Sequence, residues 1–459
     1  MKTAQNHSAR QSHGRPSWMY LLGLFFLLVI VDGALRKWVV PSQEAIIFVL
    51  KDAVLWGGYL LYALKRDPLK LPRPLYSTWV PLLIGAYVFV AVLQAFNLRQ
   101  PNVLIGAIGL KAHLAYLPLV VLVPAVITQV TARQVLRCLW GYVLIVCVPI
   151  TVLGVYQFSQ PPTAWINTYV NDMNTIAKAA DFPRITGPFP YIGSFTPYLQ
   201  FNAVLGTSIL LSGVRWNRTA LLVLGGILLG GTAIVLPMAG SRSPIVIIGS
   251  GVLALFFITR SWSQWLQLLT IGVIAIIIVT QSVGDSILLQ GWDALAERVQ
   301  ASGEARTRIV NFLAGPLTGL EQGGLLGYGV GTNHQVAPGF VSGGLWDGWV
   351  GGDNRVLRVF VELGAIGWLV LTAMKVTLLH IAYQAVRMSR HPVELIVGGT
   401  AFCVMLPHVL LPVVYNVVSS ALYWGSAGAV LGIWSMQRMT YSWGNAEVES
   451  TAIKLDALE

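Results

Sequence analysis

WVGGDNRVLRVFVELGAIGW, residues 349–368, is polar where it begins and apolar where it ends. The apolar character continues from 356 to 383, more than the roughly 20 residues that cross the hydrocarbon core of a bilayer. One acid, two arginines and a glutamate therefore stand at the mouth of a membrane helix. Working outward with the same window, further spans fall at 393–413 and 418–437 on one side. On the other side they fall at 18–35, 44–64, 78–96, 103–127, 133–158, 190–212, 219–236, 244–259 and 264–283. The chain reads as an all-α polytopic membrane protein with about twelve transmembrane helices. Composition agrees, because 55% of the 459 residues are hydrophobic and 11% charged, far from the balance of soluble domains.

The net charge of +11 does not point to nucleic acid, since the basic residues cluster in short loops between apolar runs and so mark membrane orientation. Counted in alternation, one side receives the N-terminal tail, KRDPLKLPR (65–73), Arg133 with Arg137, Arg215 with Arg218, Arg260, and Arg387 with Arg390. That side is expected to be cytoplasmic, with tails at 1–17 and 438–459 both inside. Lys2, Arg10 and Arg15 precede the first span and no small-residue cleavage site follows it, so it reads as a retained anchor. The other face receives loops 159–189 and 284–355, the second so long that a function is expected of it. Within it, GGLLGYGVGTN supplies glycine turns suited to a membrane-surface cap, and GYGVGT lacks the spacing of a nucleotide fingerprint. Cys138, Cys147 and Cys403 form no CxxC pair, so neither a disulfide framework nor a zinc site is indicated.

Charge inside a span costs about 2.5–3.5 kcal/mol on insertion scales, so each such residue needs a partner or a task. Arg36, Lys37, Lys51 and Asp52 are expected to pair among themselves. Lys111, beside His113, must snorkel, pair across helices or meet an anion. Arg242, between two serines and just before Pro244, is expected at an outward helix N-terminus, where a guanidinium and backbone N–H groups cradle a phosphate or diphosphate. An interfacial arginine with serine caps is the other reading. Lys178, Arg184, Arg298, Arg306 and Arg308 bring cations to the same outer face, against the usual charge bias. In the opening stretch, Asp353 or Asn354 caps the tenth span, Arg355 and Arg358 snorkel, and Glu362 pairs with Arg358 one turn back. Asp353 is equally suited to accept a proton from an incoming hydroxyl.

RITGPFPYIGSFTPYLQF (184–201), MAGSRSPIV (238–246), ERVQASGEARTRIVNFLAGPLTGLEQGGLLGYGVGTN (297–333) and GGDNRVLRVFVELGAIGW (351–368), in this order, resemble the O-antigen ligase and polymerase family of bacterial envelope glycosyltransferases. The resemblance implies a GT-C-like fold in the bacterial inner membrane and metal-independent transfer of a glycan from polyprenyl diphosphate to a sugar hydroxyl at the periplasmic face. No cofactor is expected, and the partners are the lipid-linked oligosaccharide, membrane lipid and a chain-length regulator. Arg306 and Arg308, helped by Arg184, Arg242, Lys178 and Lys111, are then the expected diphosphate contacts, with Asp353 as base. Asn354, Arg355 and His334 are candidates for the acceptor side. The ligases carry a histidine where this chain has Asp353, which favours a repeat-unit polymerase and leaves a ligase as the variant reading. A transporter or flippase is the rival from another class, although the two halves of the chain show no repeat. A metal-dependent transferase would want an acidic pair in the first outer loop, where only Glu44 stands at the edge.

Overall fold

The computed structural model describes residues 16–65, 73–76, 78–170, 178–179, 182–270, 290–293, 295–296, 305–341, 349–350 and 355–439. In chain order its principal helices are α1 (Ser17–Ala34), α2 (Glu44–Lys65), α3 (Arg73–Tyr76), α4 (Val80–Ala95), α5 (Val103–Leu114), α6 (Leu119–Ile127), α7 (Ala132–Gly141) and α8 (Val148–Ser159). They continue with α9 (Ile192–Arg215), α10 (Thr219–Met238), α11 (Ser243–Thr259), α12 (Ala305–Gly323), α13 (Arg355–Arg387), α14 (Pro392–His408) and α15 (Val417–Arg438). Strand pairing among the described residues is confined to a two-residue antiparallel ladder, Lys178–Ala179 with Phe182–Pro183.

Among the described residues, seven helical stretches are long and apolar enough to cross a membrane, and Val80–Ala95, Ser243–Thr259 and Pro392–His408 are shorter apolar helices. The chain is an all-α membrane protein. Each stretch expected to span coincides with helix over most of its length, except that 264–283 lies outside the described residues beyond 270. α15 is the most buried of the spans. It achieves this by setting Gly428 and Gly432 against Leu119, Val123 and Ile127 of α6, where the missing side chains let backbones close up. On the outside, Leu60, Leu82, Val246 and Phe257 stay exposed, as side chains facing lipid do.

Three expected spans are interrupted. The stretch 103–127 turns between α5 and α6, because Pro118 has no N–H to continue the ladder and disfavours helical backbone at Leu117. Bonds from Leu117 N to Leu114 O (3.1 Å) and from Leu119 N to Tyr116 O (3.1 Å) tighten the chain there. The stretch 133–158 contains a π-helical segment, Tyr142–Cys147, just ahead of Pro149. The third break matters most: α13 is cut at Gly364, whose φ of 68° and ψ of 178° only glycine adopts readily.

The break frees backbone groups deep in the bundle, and the glycine-rich loop after α12 satisfies them. Tyr328 N donates to Val361 O (2.9 Å), Gly329 N to Glu362 O (3.0 Å) and Ala365 N to Gly324 O (3.0 Å). The side chains of Gln94 and Asn97, at the end of α4, donate to the carbonyls of Leu326 and Gly327. Within GGLLGYGVGTN, Gly327 and Gly329 through Asn333 are buried, whereas Leu325 and Leu326 stay exposed. The reason is steric. Gly109 of α5 leaves room for the backbone of Val330 and Gly331 to lie directly on that helix. Non-helical backbone survives at membrane depth only when protein satisfies it in this way.

Candidate functional site

Two groups of polar side chains converge, one at the break in α13 and one at the turn between α10 and α11.

At the break, Glu362 is expected to pair with Arg358, yet it is gripped from across the bundle. Its Oε2 lies 3.0 Å from Nε2 of His113, and both side chains are wholly buried. On the far side of the imidazole, the Tyr87 hydroxyl sits 2.8 Å from Nδ1. The second carboxylate oxygen, Oε1, accepts the N–H of Asn333 at 2.8 Å. Asn333 Oδ1 in turn accepts the N–H of Val350 at 2.7 Å. Helices α4, α5 and α13 and two parts of the long loop thus meet on one carboxylate.

His334 follows Asn333, and its ring lies 6.1 Å from that of Tyr415. Its Nδ1 accepts the N–H of Val336 at 3.4 Å, which requires an unprotonated nitrogen there. Burial pushes the His334 pKa below the ordinary imidazole value; the Glu362 carboxylate opposes this, while Lys111 and His113 add to it. Lys111 and His334, both picked from the sequence, therefore share one electrostatic neighbourhood. Tyr415 has a φ of 72°, a strained conformation for a bulky residue and one that concentrates at functional sites. Burial, and after it the Glu362 charge, hold its hydroxyl protonated.

Of the fates open to Lys111, pairing across helices is the one observed. Its ammonium is 2.9 Å from Asp52 of α2, while the side chain keeps 39% of its surface exposed. Tyr116 donates to the other oxygen of Asp52 at 2.8 Å. Arg36 and Lys51 each lie 3.5 Å from Asp32 of α1, and the ring of Phe48 lies within 5.4 Å of Arg36, 4.1 Å of Lys51 and 4.0 Å of Lys111. The expected pairing of Arg36, Lys37, Lys51 and Asp52 with one another is therefore not what forms among the described residues: Arg36 and Lys51 pair with Asp32, Arg36 also comes within 4.0 Å of Glu44, and Asp52 pairs with Lys111. Lys37 departs from the expected pairing too, donating to Thr186 Oγ1 (2.9 Å) and Gly187 O (2.8 Å), both beside Arg184 in the chain.

At the second group, Arg184 Nε donates to Ala239 O at 3.3 Å, and Ile185 N to Met238 O at 3.4 Å. Arg242 occupies the N-cap position of α11, with Pro244 in the first turn as the sequence leads one to expect. Arg184 and Arg242 are thus drawn to the same turn. Gly291, near the start of the long loop, packs on Met238 of that turn.

Other expected residues are placed less fully. Arg306 and Arg308 belong to the first turn of α12 and Lys178 to the short ladder, but their side chains lie outside the described residues. Arg298, Asp353 and Asn354 lie outside the described residues altogether. Arg355 opens α13 and is exposed. Sequence reasoning missed Tyr87, Asn333 and Tyr415, and also Asp32, an acid inside the first span that the cost of intramembrane charge should have flagged.

Chemically, the partly exposed Lys111 ammonium and the unprotonated His334 imidazole can handle protons and anions, and guanidinium groups such as those of Arg184 and Arg242 suit anions. Compared with models of protein families, with curated proteins and with solved structures, the chain matches none.

Proposed function

We propose that the protein is a polysaccharide polymerase of the bacterial inner membrane. It would take a glycan chain from polyprenyl diphosphate and pass it to a sugar hydroxyl on a lipid-linked repeat unit at the periplasmic face, without a metal. The observation that carries this reading is the bond from Arg184 to Ala239, which sets two arginines from separate stretches at the N-terminal end of α11. Such an end attracts phosphate through its backbone N–H groups and its dipole. In the reaction the bond from the anomeric carbon to the diphosphate oxygen breaks as the acceptor oxygen attacks. The arginines stabilise the charge arriving on the diphosphate, and Asp353 takes the hydroxyl proton.

The sidedness assumed here draws support from contacts between chain segments. Lys37 reaches Thr186 and Gly187, Gln94 reaches Leu326, and Asn416 reaches Gly193. The alternating count assigns Lys37, Thr186, Gly187, Leu326 and Asn416 to the outer face and Gln94 and Gly193 to the outer ends of their spans. Twelve spans, a GT-C-like arrangement, cytoplasmic termini and a chain-length regulator as partner belong to the same proposal. A ligase delivering the glycan to lipid A-core is the same chemistry with another acceptor.

One observation favours a second reading, a lipid-linked sugar flippase: an apolar helix long enough to span and broken by non-helical backbone, as α13 is at Gly364, is common in carriers. Cells lacking the protein separate the two. A lost polymerase leaves single repeat units on polyprenol facing outward, whereas a lost flippase removes repeat units from the outer face.

A further inference from the structure

The buried pair His113–Glu362 does more than fill space. An ionisable pair with no exposure is expensive to bury and is seldom worth more to stability than apolar residues of the same volume. Its geometry suggests what it is kept for. One carboxylate oxygen is taken up by His113, itself braced by Tyr87, so the carboxylate cannot rotate. The other oxygen accepts the backbone N–H of Asn333, and the Tyr415 hydroxyl also faces the carboxylate. Asn333 relays the constraint to Val350 through its side-chain oxygen, and its peptide neighbour is His334.

We infer that His113 and Glu362 are positioning residues: they fix the His334 imidazole and the backbone at Val350 against the break in α13. This rests on the polymerase reading for its catalytic consequence, but the positioning itself does not. The rotationally locked carboxylate is the distinctive element. Glutamine keeps an oxygen for Asn333 and an amide for His113, whose neutral ring can reverse its tautomer toward Tyr87. Alanine removes both contacts.

The test uses the full-length protein in detergent, as wild type and as Glu362→Gln, Glu362→Ala, Asn333→Ala and the double alanine variant. Hydrogen–deuterium exchange is read on peptides covering 331–341 and 349–350, with α1 and α2 as internal reference. Turnover is read with polyprenyl-diphosphate repeat units, separating kcat from KM. Glu362→Ala is expected to speed exchange in the loop at least tenfold with α1 and α2 unchanged, and to lower kcat at least tenfold with little change in KM. Glu362→Gln should stay within about threefold of wild type in both. Asn333→Ala should reproduce the kcat loss, and the double variant should add nothing further, because both act through one relay. Unchanged loop exchange in Glu362→Ala overturns the inference, as does a Glu362→Gln as impaired as the alanine variant, or losses that multiply in the double variant. If wild type shows no turnover, the polymerase reading fails, and the exchange data alone decide whether the pair positions the loop.

Discussion

His113 Nε2 and Glu362 Oε2 stand 3.0 Å apart although 249 residues separate them in the chain. The two belong to helices α5 and α13, and their meeting locks the glycine-rich loop between α12 and α13 into the bundle. Removing one partner of a wholly buried pair strands the other. His113→Ala should therefore destabilise the protein by about 3–5 kcal/mol, whereas Glu362→Gln, which keeps a hydrogen bond to each neighbour, should cost about 1 kcal/mol. Chemical unfolding in detergent micelles measures both; equal losses would argue against the pairing seen here.

Gly364 offers a backbone test of the same region. A positive φ with ψ near 180° costs a residue other than glycine about 1–3 kcal/mol, and a Cβ here would also run into the backbone of Gly327 and Leu325. Gly364→Ala is expected to reduce the yield of folded protein sharply. Gly226→Ala, where a Cβ meets nothing within 4 Å, should leave it unchanged. Monodispersity after solubilisation reports the difference.

His334 gives the loop a pH dependence whose sign is fixed. Its folded pKa lies below the ordinary 6.5, so between the two values the unfolded chain binds a proton that the fold refuses. Its contribution to stability is constant above about 6.5 and declines as pH falls through that window. Exchange protection of residues 331–341 should fall between pH 7.5 and 5.5 in wild type and fall less in His334→Gln. A steeper fall in the variant contradicts the assignment.

How much of this is legible in the chain follows from the range of the interactions. The spans can be read because twenty apolar residues in a row are a local signal. The start of α11 is equally local: Arg242, Ser243 and Pro244 carry it. The break in α13 is half legible, in that Gly364 is visible but helical glycine is common in membranes, and only the loop that inserts there reveals its conformation. The pairing of Glu362 with His113 is not legible, since the i, i+4 rule offers Arg358 as a local partner and nothing in the sequence announces a partner 249 residues away. Lys37 illustrates the same limit, for its partners Thr186 and Gly187 come from a distant loop.

The arginine turn carries the charge stabilisation in the proposed transfer. Loss of one well-placed donor to a developing anion typically costs about 10²–10³ in rate, so Arg184→Ala and Arg242→Ala should each lower polymer formation by that order while the protein still inserts. Lysine should rescue poorly at Arg184, because an ammonium offers neither the planar fork of a guanidinium nor the Nε that bonds Ala239. Polymer length and yield from complemented cells give the readout; wild-type output from both alanine variants would remove this turn from the site.

Purified protein incubated with polyprenyl-diphosphate-linked repeat units, with products separated by length, addresses the central claim most directly. The account predicts a ladder of lengthened glycans, one polyprenyl diphosphate released per bond formed, and its loss in Asp353→Asn. Recovery of single repeat units only, with no diphosphate lipid released, would contradict it.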